Sequence, residues 1–222
     1  DGTAPLVTIT SPAAGNSSSA TKNFNATVLE QNPEASGTLQ LTPVGQGAKN
    51  YTLTNRSGNW GYTNLSMPDN QYTAKFMIND SFGNMNNTEQ VTFTVDTTKP
   101  AVLNASVNDT SVSSTQIIQI NISVTDLNRD DGSVNVSGNS GATNVSMTLL
   151  SGTASVFQVS TSASSLGCSS DGTCTLTFAA KDAAGNLNAS VTTTITVDRT
   201  SPRDTITSPA PGNSSSATKN FN

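Results

Sequence analysis

The sequence predicts an all-β chain built as β-sandwich domains in tandem, and three observations carry that expectation. Thr, Val, Ser and Asn are abundant while charged residues make up only 11% of the chain, and no long helix-forming run is present. β-branched side chains suit a pleated surface and crowd a helix. The length of 222 residues exceeds one seven-stranded sandwich and is about right for two. The third observation is that the chain repeats itself.

The motif Asp-x-Thr-x-Pro occurs at Asp1–Pro5, Asp96–Pro100 and Asp198–Pro202, at spacings of 95 and 102 residues. A second motif, Asp-x-x-Gly-Asn, falls at Asp80–Asn84 and Asp182–Asn186, again 102 apart, and each copy precedes a Thr-Val-Asp run. Residues 8–25 and 205–222 differ at one position in eighteen. Periodic self-similarity marks arrays in which each unit leans on its neighbours. The expected organisation is domain 1 over residues 1–97, domain 2 over 98–199, and the start of a further repeat over 200–222, a near-copy of 3–25. Strands opening a sandwich need partners. The last segment therefore continues into a further domain or is donated to another copy, with continuation favoured.

Period-two alternation predicts strands near residues 6–10, 23–30, 38–42, 50–54, 59–64, 72–79 and 89–95 in domain 1. Domain 2 gives 101–107, 115–125, 143–150, 154–160, a short piece at 165–168, then 173–180 and 190–197.

Several functions are excluded or disfavoured by residue inventory. A net charge of −5 without a basic stripe argues against nucleic acid, and basic residues are too sparse for polybasic attraction to a membrane. No apolar run of about 18 residues and no charged-then-apolar leader occurs, so any anchor is expected outside this stretch. The chain has no His, which removes a Ser-His-Asp arrangement. Ser19-Ala-Thr-Lys22, repeated at Ser216–Lys219, matches Ser-x-x-Lys, but that chemistry needs a helical mount and further elements that are missing. The expectation is a chain without catalysis.

Asn-x-Ser/Thr sequons begin at Asn16, Asn25, Asn50, Asn55, Asn64, Asn79, Asn86, Asn104, Asn108, Asn121, Asn135, Asn144, Asn188 and Asn213. That is about twice the number composition alone gives. Alternation turns Asn25, Asn79, Asn121 and Asn144 away from their apolar neighbours, as a glycan requires. Covalent N-glycans are therefore expected, although polar Asn faces solvent in any case.

Glu30–Glu34 and Asp126–Asp130 occupy equivalent loops after the second strand. Asp126, Asn128 and Asp130 offer alternate oxygen ligands that would suit calcium between domains. Counting from Asp126, an EF-hand needs Gly sixth and Glu twelfth, where the chain has Asp131 and Ser137; a solvated acidic loop is the favoured reading. Trp60 and Tyr62 share a strand face and read as core, with a sugar platform as the alternative.

The run Trp60-Gly-Tyr-Thr63, then Asp69, Asn70 and Tyr72, Asp-Ser-Phe-Gly-Asn, and Thr-Val-Asp-Thr-Thr-Lys-Pro resembles tandem bacterial and archaeal immunoglobulin-like surface domains. The resemblance covers the whole chain. It implies Greek-key sandwiches of about seven strands in extracellular adhesins, surface layers and filaments, with no shared catalytic or ligand-binding residues. Dense N-glycosylation favours an archaeal source.

Tyr72 stands where such a domain places a tyrosine corner. Adding 102 puts Cys174 at the same place, with Cys168 across an Asp-Gly turn. The pair reads as a disulfide replacing the corner, or else as two reduced thiols. Zinc needs about four N or S ligands and is not supported. The functional expectation is a repeat unit of a glycosylated extracellular fibre whose partners are further copies of itself, in one chain or as polymerised subunits. The alternative is an adhesin module binding a glycan or protein through its loops.

Overall fold

A computed structural model of the chain describes residues 2–32, 34–139 and 143–205. The first sandwich holds β1 (Leu6–Ser11), β2 (Gly15–Ser17), β3 (Thr21–Leu29), β4 (Glu34–Pro43), β5 (Lys49–Thr52), β6 (Thr54–Arg56), β7 (Asn59–Ser66), β8 (Asn70–Asp80), β9 (Met85–Asn86) and β10 (Gln90–Val95). The second holds β11 (Ala101–Val107), β12 (Ser111–Val112), β13 (Ile117–Thr125), β14 (Asn135–Gly138), β15 (Val145–Ser146), β16 (Thr148–Leu149), β17 (Val156–Ser162), β18 (Gly172–Lys181) and β19 (Leu187–Val197).

The two units share one topology. Sheet β1-β3-β7-β6 faces sheet β2-β10-β8-β4-β5, and β11-β13-β17-β16 faces β12-β19-β18-β14-β15. In each unit a short early strand pairs parallel with the last one, β2 with β10 and β12 with β19. All other ladders are antiparallel.

Alternation produces the cores. Phe24 and Ala26 on β3, Tyr72, Ala74, Phe76 and Ile78 on β8, and Phe93 and Val95 on β10 are buried in one cluster. Ile118, Ile120, Ile122 and Val124 on β13 and Cys174, Leu176, Phe178 and Ala180 on β18 build the other. Each large side chain taken wholly out of water contributes roughly 1.5–3 kcal/mol. Register shows how the same volume is filled differently. Val7 lies opposite Val28 and Val102 opposite Val124, so Ala26 corresponds to Ile122. Ala26 pairs with Trp60, whereas Ile122 pairs with Phe157: a small and very large pair is exchanged for two of middling size.

The differences from the expected strands have physical reasons. The segment expected as 50–54 divides at buried Leu53, where the chain crosses from one sheet to the other. The segment expected as 143–150 divides in the same way at buried Met147, with β15 in one sheet and β16 in the other; Leu149 is left 38% exposed. The amides of Leu53 and Met147 donate to Gly37 O and Val134 O, both at 2.9 Å. Residues 165–168 form no strand. Ser164–Leu166 is a 3-10 turn that buries Leu166 and ends at Gly167, whose φ of 89° is left-handed. Strand β14, absent from the expectation, is short and Ser/Asn-rich, yet Val136 is fully buried on it and Val134 just before it.

Candidate functional site

The joint between the sandwiches is where both repeated motifs meet. Asp69, in the loop before β8, accepts the Thr97 amide at 2.9 Å, the Thr97 hydroxyl at 2.8 Å and the Thr98 hydroxyl at 2.8 Å. Desolvation pushes its carboxyl up, but the Thr97 and Thr98 hydroxyls and amides outweigh it and hold Asp69 below the usual carboxylate range. Asp171 treats the next linker alike, accepting the Arg199 amide at 2.8 Å and the Thr200 hydroxyl at 3.2 Å. Within the motif, Asp96 accepts the Thr98 amide at 3.1 Å and Asp198 the Thr200 amide at 2.9 Å. The Asp of Asp-x-Thr-x-Pro thus folds its own turn, and the Thr fastens that turn to the sandwich just completed.

The second motif grips the linker from the other side. Asp80 accepts the Phe82 and Asn84 amides, both at 2.9 Å, and the Asn84 side chain at 2.8 Å. Burial raises the Asp80 carboxyl, while the bonds from Asn84, Phe82 and Gly83 lower it further, so it lies below its ordinary value. Asp182 accepts the Asn186 amide at 2.9 Å and its side chain at 2.6 Å. Gly83 and Gly185 turn the loop at φ of 90° and 92°, a conformation that penalises a Cβ. Held this way, Asn186 donates to Asp96 O at 2.7 Å and Thr98 O at 3.3 Å. Two residues on, Asn188 donates to Pro100 O at 2.8 Å, as Asn86 does to Pro5 O at 2.9 Å. Pro5 and Pro100 are both buried.

Carboxylates gather at the same joint. One oxygen each of Asp96, Asp126 and Asp182 lie within 4.8 Å of one another, with Asp96 and Asp182 buried and Asp126 half-buried. Among the described residues the one salt bridge is Arg129 to Asp131, so no Lys or Arg pairs with this trio. Carboxylates at this spacing repel unless one is protonated or a cation sits among them. A hard divalent cation takes six to eight oxygens, and the trio supplies part of such a set. Of the expected calcium residues, only Asp126 belongs to it. Asn128 spends its side chain on Asp96 at 2.9 Å and its amide on Asp126 at 2.7 Å. Asp130 caps the 3-10 turn Asp131–Ser133 by accepting the Gly132 amide. Asp96 and Asp182 were legible as the leading acids of the two repeated motifs, but only the fold brings them together with Asp126.

Among the sequons, Asn16, Asn50, Asn55, Asn64, Asn104, Asn108 and Asn144 are exposed, and Asn25, Asn79, Asn86, Asn121, Asn135 and Asn188 are half-buried. Asn213 lies outside the described residues. Cys168 and Cys174 are joined by a disulfide with Cα atoms 5.8 Å apart, buried in the second core. The Tyr72 hydroxyl donates to Pro68 O at 2.7 Å. Trp60 is 5% exposed and packs on Gly37, where a Cβ would stand 2.6 Å from the indole. Its partner Tyr62 is half-buried and meets Tyr51 edge-on at 5.2 Å, so this pair is core.

Residues 15–97 match the family model described as Bacterial Ig-like domain. No curated protein matches the chain. Among solved structures it is similar to a marsupial T cell receptor, with a TM-score of 0.54 and 8% identity over 92% of this chain and 76% of that one. It is also similar to the fibronectin(III)-like modules of Clostridium thermocellum CbhA, with a TM-score of 0.45 and 14% identity over 86% of this chain and 93% of that one. A third likeness is to a 1.5-MDa bacterial ice-binding adhesin, with a TM-score of 0.40 and 20% identity over 89% of this chain and 66% of that one. The chain is a tandem of immunoglobulin-like β-sandwiches, the first of which matches the bacterial Ig-like domain family over residues 15–97.

Proposed function

We propose that the chain is a spacer: a non-catalytic repeat unit of a glycan-coated extracellular filament or surface fibre, with domain 1 over residues 1–97, domain 2 over 98–199 and the next repeat opening at 200. The observation that carries this reading is the linker gripped from both sides, by Asp69 of one sandwich and by Asn186 and Asn188 of the next. A linker held at the carbonyls of Asp96, Thr98 and Pro100, the amides of Thr97 and Thr98 and both threonine hydroxyls transmits direction from one sandwich to the next, which a stalk needs and a flexible tether lacks. Asp171 already holds Arg199 and Thr200 in the same manner, so the second linker leaves the second sandwich as the first linker leaves the first. Further copies of the repeat are the partners this arrangement suits. Glycans on exposed sequons would shield the sheet edges.

The alternative, an adhesin module, is favoured by one feature. A groove of about 850 Å³ runs along the joint, and its lining includes Val44 and Leu127, which are 61% and 96% exposed. Apolar side chains this open often mark contact surfaces.

Intact mass of the native material before and after deglycosylation, under reducing and denaturing conditions, tests the spacer reading. The peptide alone weighs 22.8 kDa. A large mass loss and a stripped mass near a multiple of the repeat support a glycosylated array. Native and stripped masses both equal to the peptide value overturn it and turn attention to the groove.

A further inference from the structure

The structure divides the sequons by what their amide nitrogens are doing. Asn50, Asn55, Asn79, Asn108 and Asn121 use only the side-chain oxygen, as an acceptor, which leaves Nδ2 open for a sugar. Among the described residues three sequon asparagines donate through Nδ2: Asn86, Asn135 and Asn188. Asn135 reaches Ser133 O, two residues back, so its bond moves with the local chain. Asn86 and Asn188 reach across 81 and 88 residues to the buried prolines that close their incoming linkers.

These two are the same position in the two sandwiches, and their triplets are bonded alike. The Thr88 amide and hydroxyl both donate to Asn86 Oδ1 at 3.1 Å; the Ser190 amide and hydroxyl donate to Asn188 Oδ1 at 3.0 and 2.7 Å. The hydroxyl residue that completes each sequon thus has a fold-level reason to be there, as the closing donor of an Asx turn. The turn fixes the amide plane, and the fixed plane aims Nδ2 at the proline carbonyl.

We infer that Asn86 and Asn188 are ties between the incoming linker and its sandwich, and that they stay outside the glycan coat. Glycosylation replaces an Nδ2 hydrogen with a bond to a sugar carbon. At these positions that nitrogen is half-buried against the linker, so a sugar ring and the linker compete for one crease. The acceptor-only sequons carry no such conflict. Glycan-free Asn-x-Ser/Thr triplets then mark the joints of the array. This mapping rests on the glycan-coat reading; the tie itself does not.

The test has two arms. In the unglycosylated full chain, nitrogen-15 relaxation gives a rotational correlation time for each sandwich. Wild type is expected to show one shared value. Asn188→Asp keeps the acceptor oxygen for Ser190 and loses the donor to Pro100, so it should lose the shared value and shorten the time for both sandwiches. Asn144→Asp, which adds the same charge at an exposed sequon outside the tie, should tumble as wild type. Retained amide dispersion confirms that each variant is folded. Shared tumbling in Asn188→Asp overturns the tie. In glycosylated material, peptide mapping should find sugar at acceptor-only positions such as Asn121 and none at Asn86 or Asn188; sugar at either overturns the exclusion. If no sequon carries sugar, the glycan coat and the exclusion fall together, and the tie is decided by the tumbling arm alone.

Discussion

Tyr72 and Cys174 do one job by two kinds of chemistry. Tyr72 pairs with Phe93 and Cys174 with Ile195, the same rung of the ladder between the last two long strands of each sandwich. Each closes the loop in front of its strand: Tyr72 through a hydrogen bond to Pro68 O, Cys174 through a covalent bond to Cys168. The aromatic ring also fills space, stacking on Phe93 at 5.6 Å. The disulfide fills less, and Gly138 lets β14 come in over it: a Cβ there would overlap Cys168 Sγ and lie 2.9 Å from Cys174 Sγ.

Replacing both cysteines by Ser should destabilise the second sandwich by roughly 2 kcal/mol, the figure that loop-closure entropy gives for so short a loop. The first sandwich should not change. Trp60, the only Trp, lies in the first core and reports that unit alone. Its emission should keep its urea midpoint while circular dichroism shows the other transition moving lower. Tyr72→Phe should do the reverse, destabilising the first sandwich by about 1 kcal/mol for the lost hydrogen bond and so lowering the urea midpoint of Trp60 emission.

Gly138→Ala and Gly37→Ala press a methyl group into sulfur and indole respectively. Each should cost about 1–3 kcal/mol through overpacking, in its own sandwich only. Equal loss in both units, or none, would count against these close approaches.

The Asp69 clamp should loosen in acid. Its folded carboxyl is held below the ordinary range, so the contribution is fully present above the unfolded value of about 3.9. It is lost as pH falls below that value and through the lower folded one. The shared correlation time of the two sandwiches should persist at neutral pH and separate below about pH 4. Asp69→Asn should be looser at neutral pH, with little further change in acid.

Asp126→Asn gives a sign that depends on metal. In chelator it removes one of three repelling carboxylates and should raise the melting temperature. With calcium added, wild type should rise by linkage and the variant should rise less. A variant that behaves identically in chelator and calcium, matched by a wild type that does the same, shows that no cation occupies the trio.

The strands that build each core were legible because inward positions such as Ile118, Ile120, Ile122 and Val124 alternate without interruption. Strand β14 was not, since it holds a single valine, Val136, among Asn, Ser and Gly. Leu53 and Met147 hid in runs that look continuous, because a chain crossing between sheets keeps its apolar residue at the crossing and changes its partners. At the joint, the recurrence of Asp-x-Thr-x-Pro and Asp-x-x-Gly-Asn was plain. Their relation was not: Asn186 and Asp96 are 90 residues apart and meet only once both sandwiches have formed. Contacts 81 and 88 residues away likewise distinguish the sequons whose nitrogen is engaged, and the triplet itself is silent on which they are.

If the chain is a spacer, the parallel pairing of β2 with β10 and of β12 with β19 sets how it would bear load. The chain enters each unit through β1 or β11, which pair antiparallel with β3 or β13, then passes into the first strand of such a pair and leaves immediately after the second: Ser17 O accepts from Asp96, and Val112 O from Asp198, the residues that open the next linkers. Tension that passes beyond β1 or β11 would pull two side-by-side parallel strands in opposite directions. Their hydrogen bonds are strained together in shear, where an antiparallel hairpin pulled from its open end would release them one after another. A unit loaded this way yields late and all at once, and its lifetime under force is set by its unfolding rate more than by its equilibrium stability.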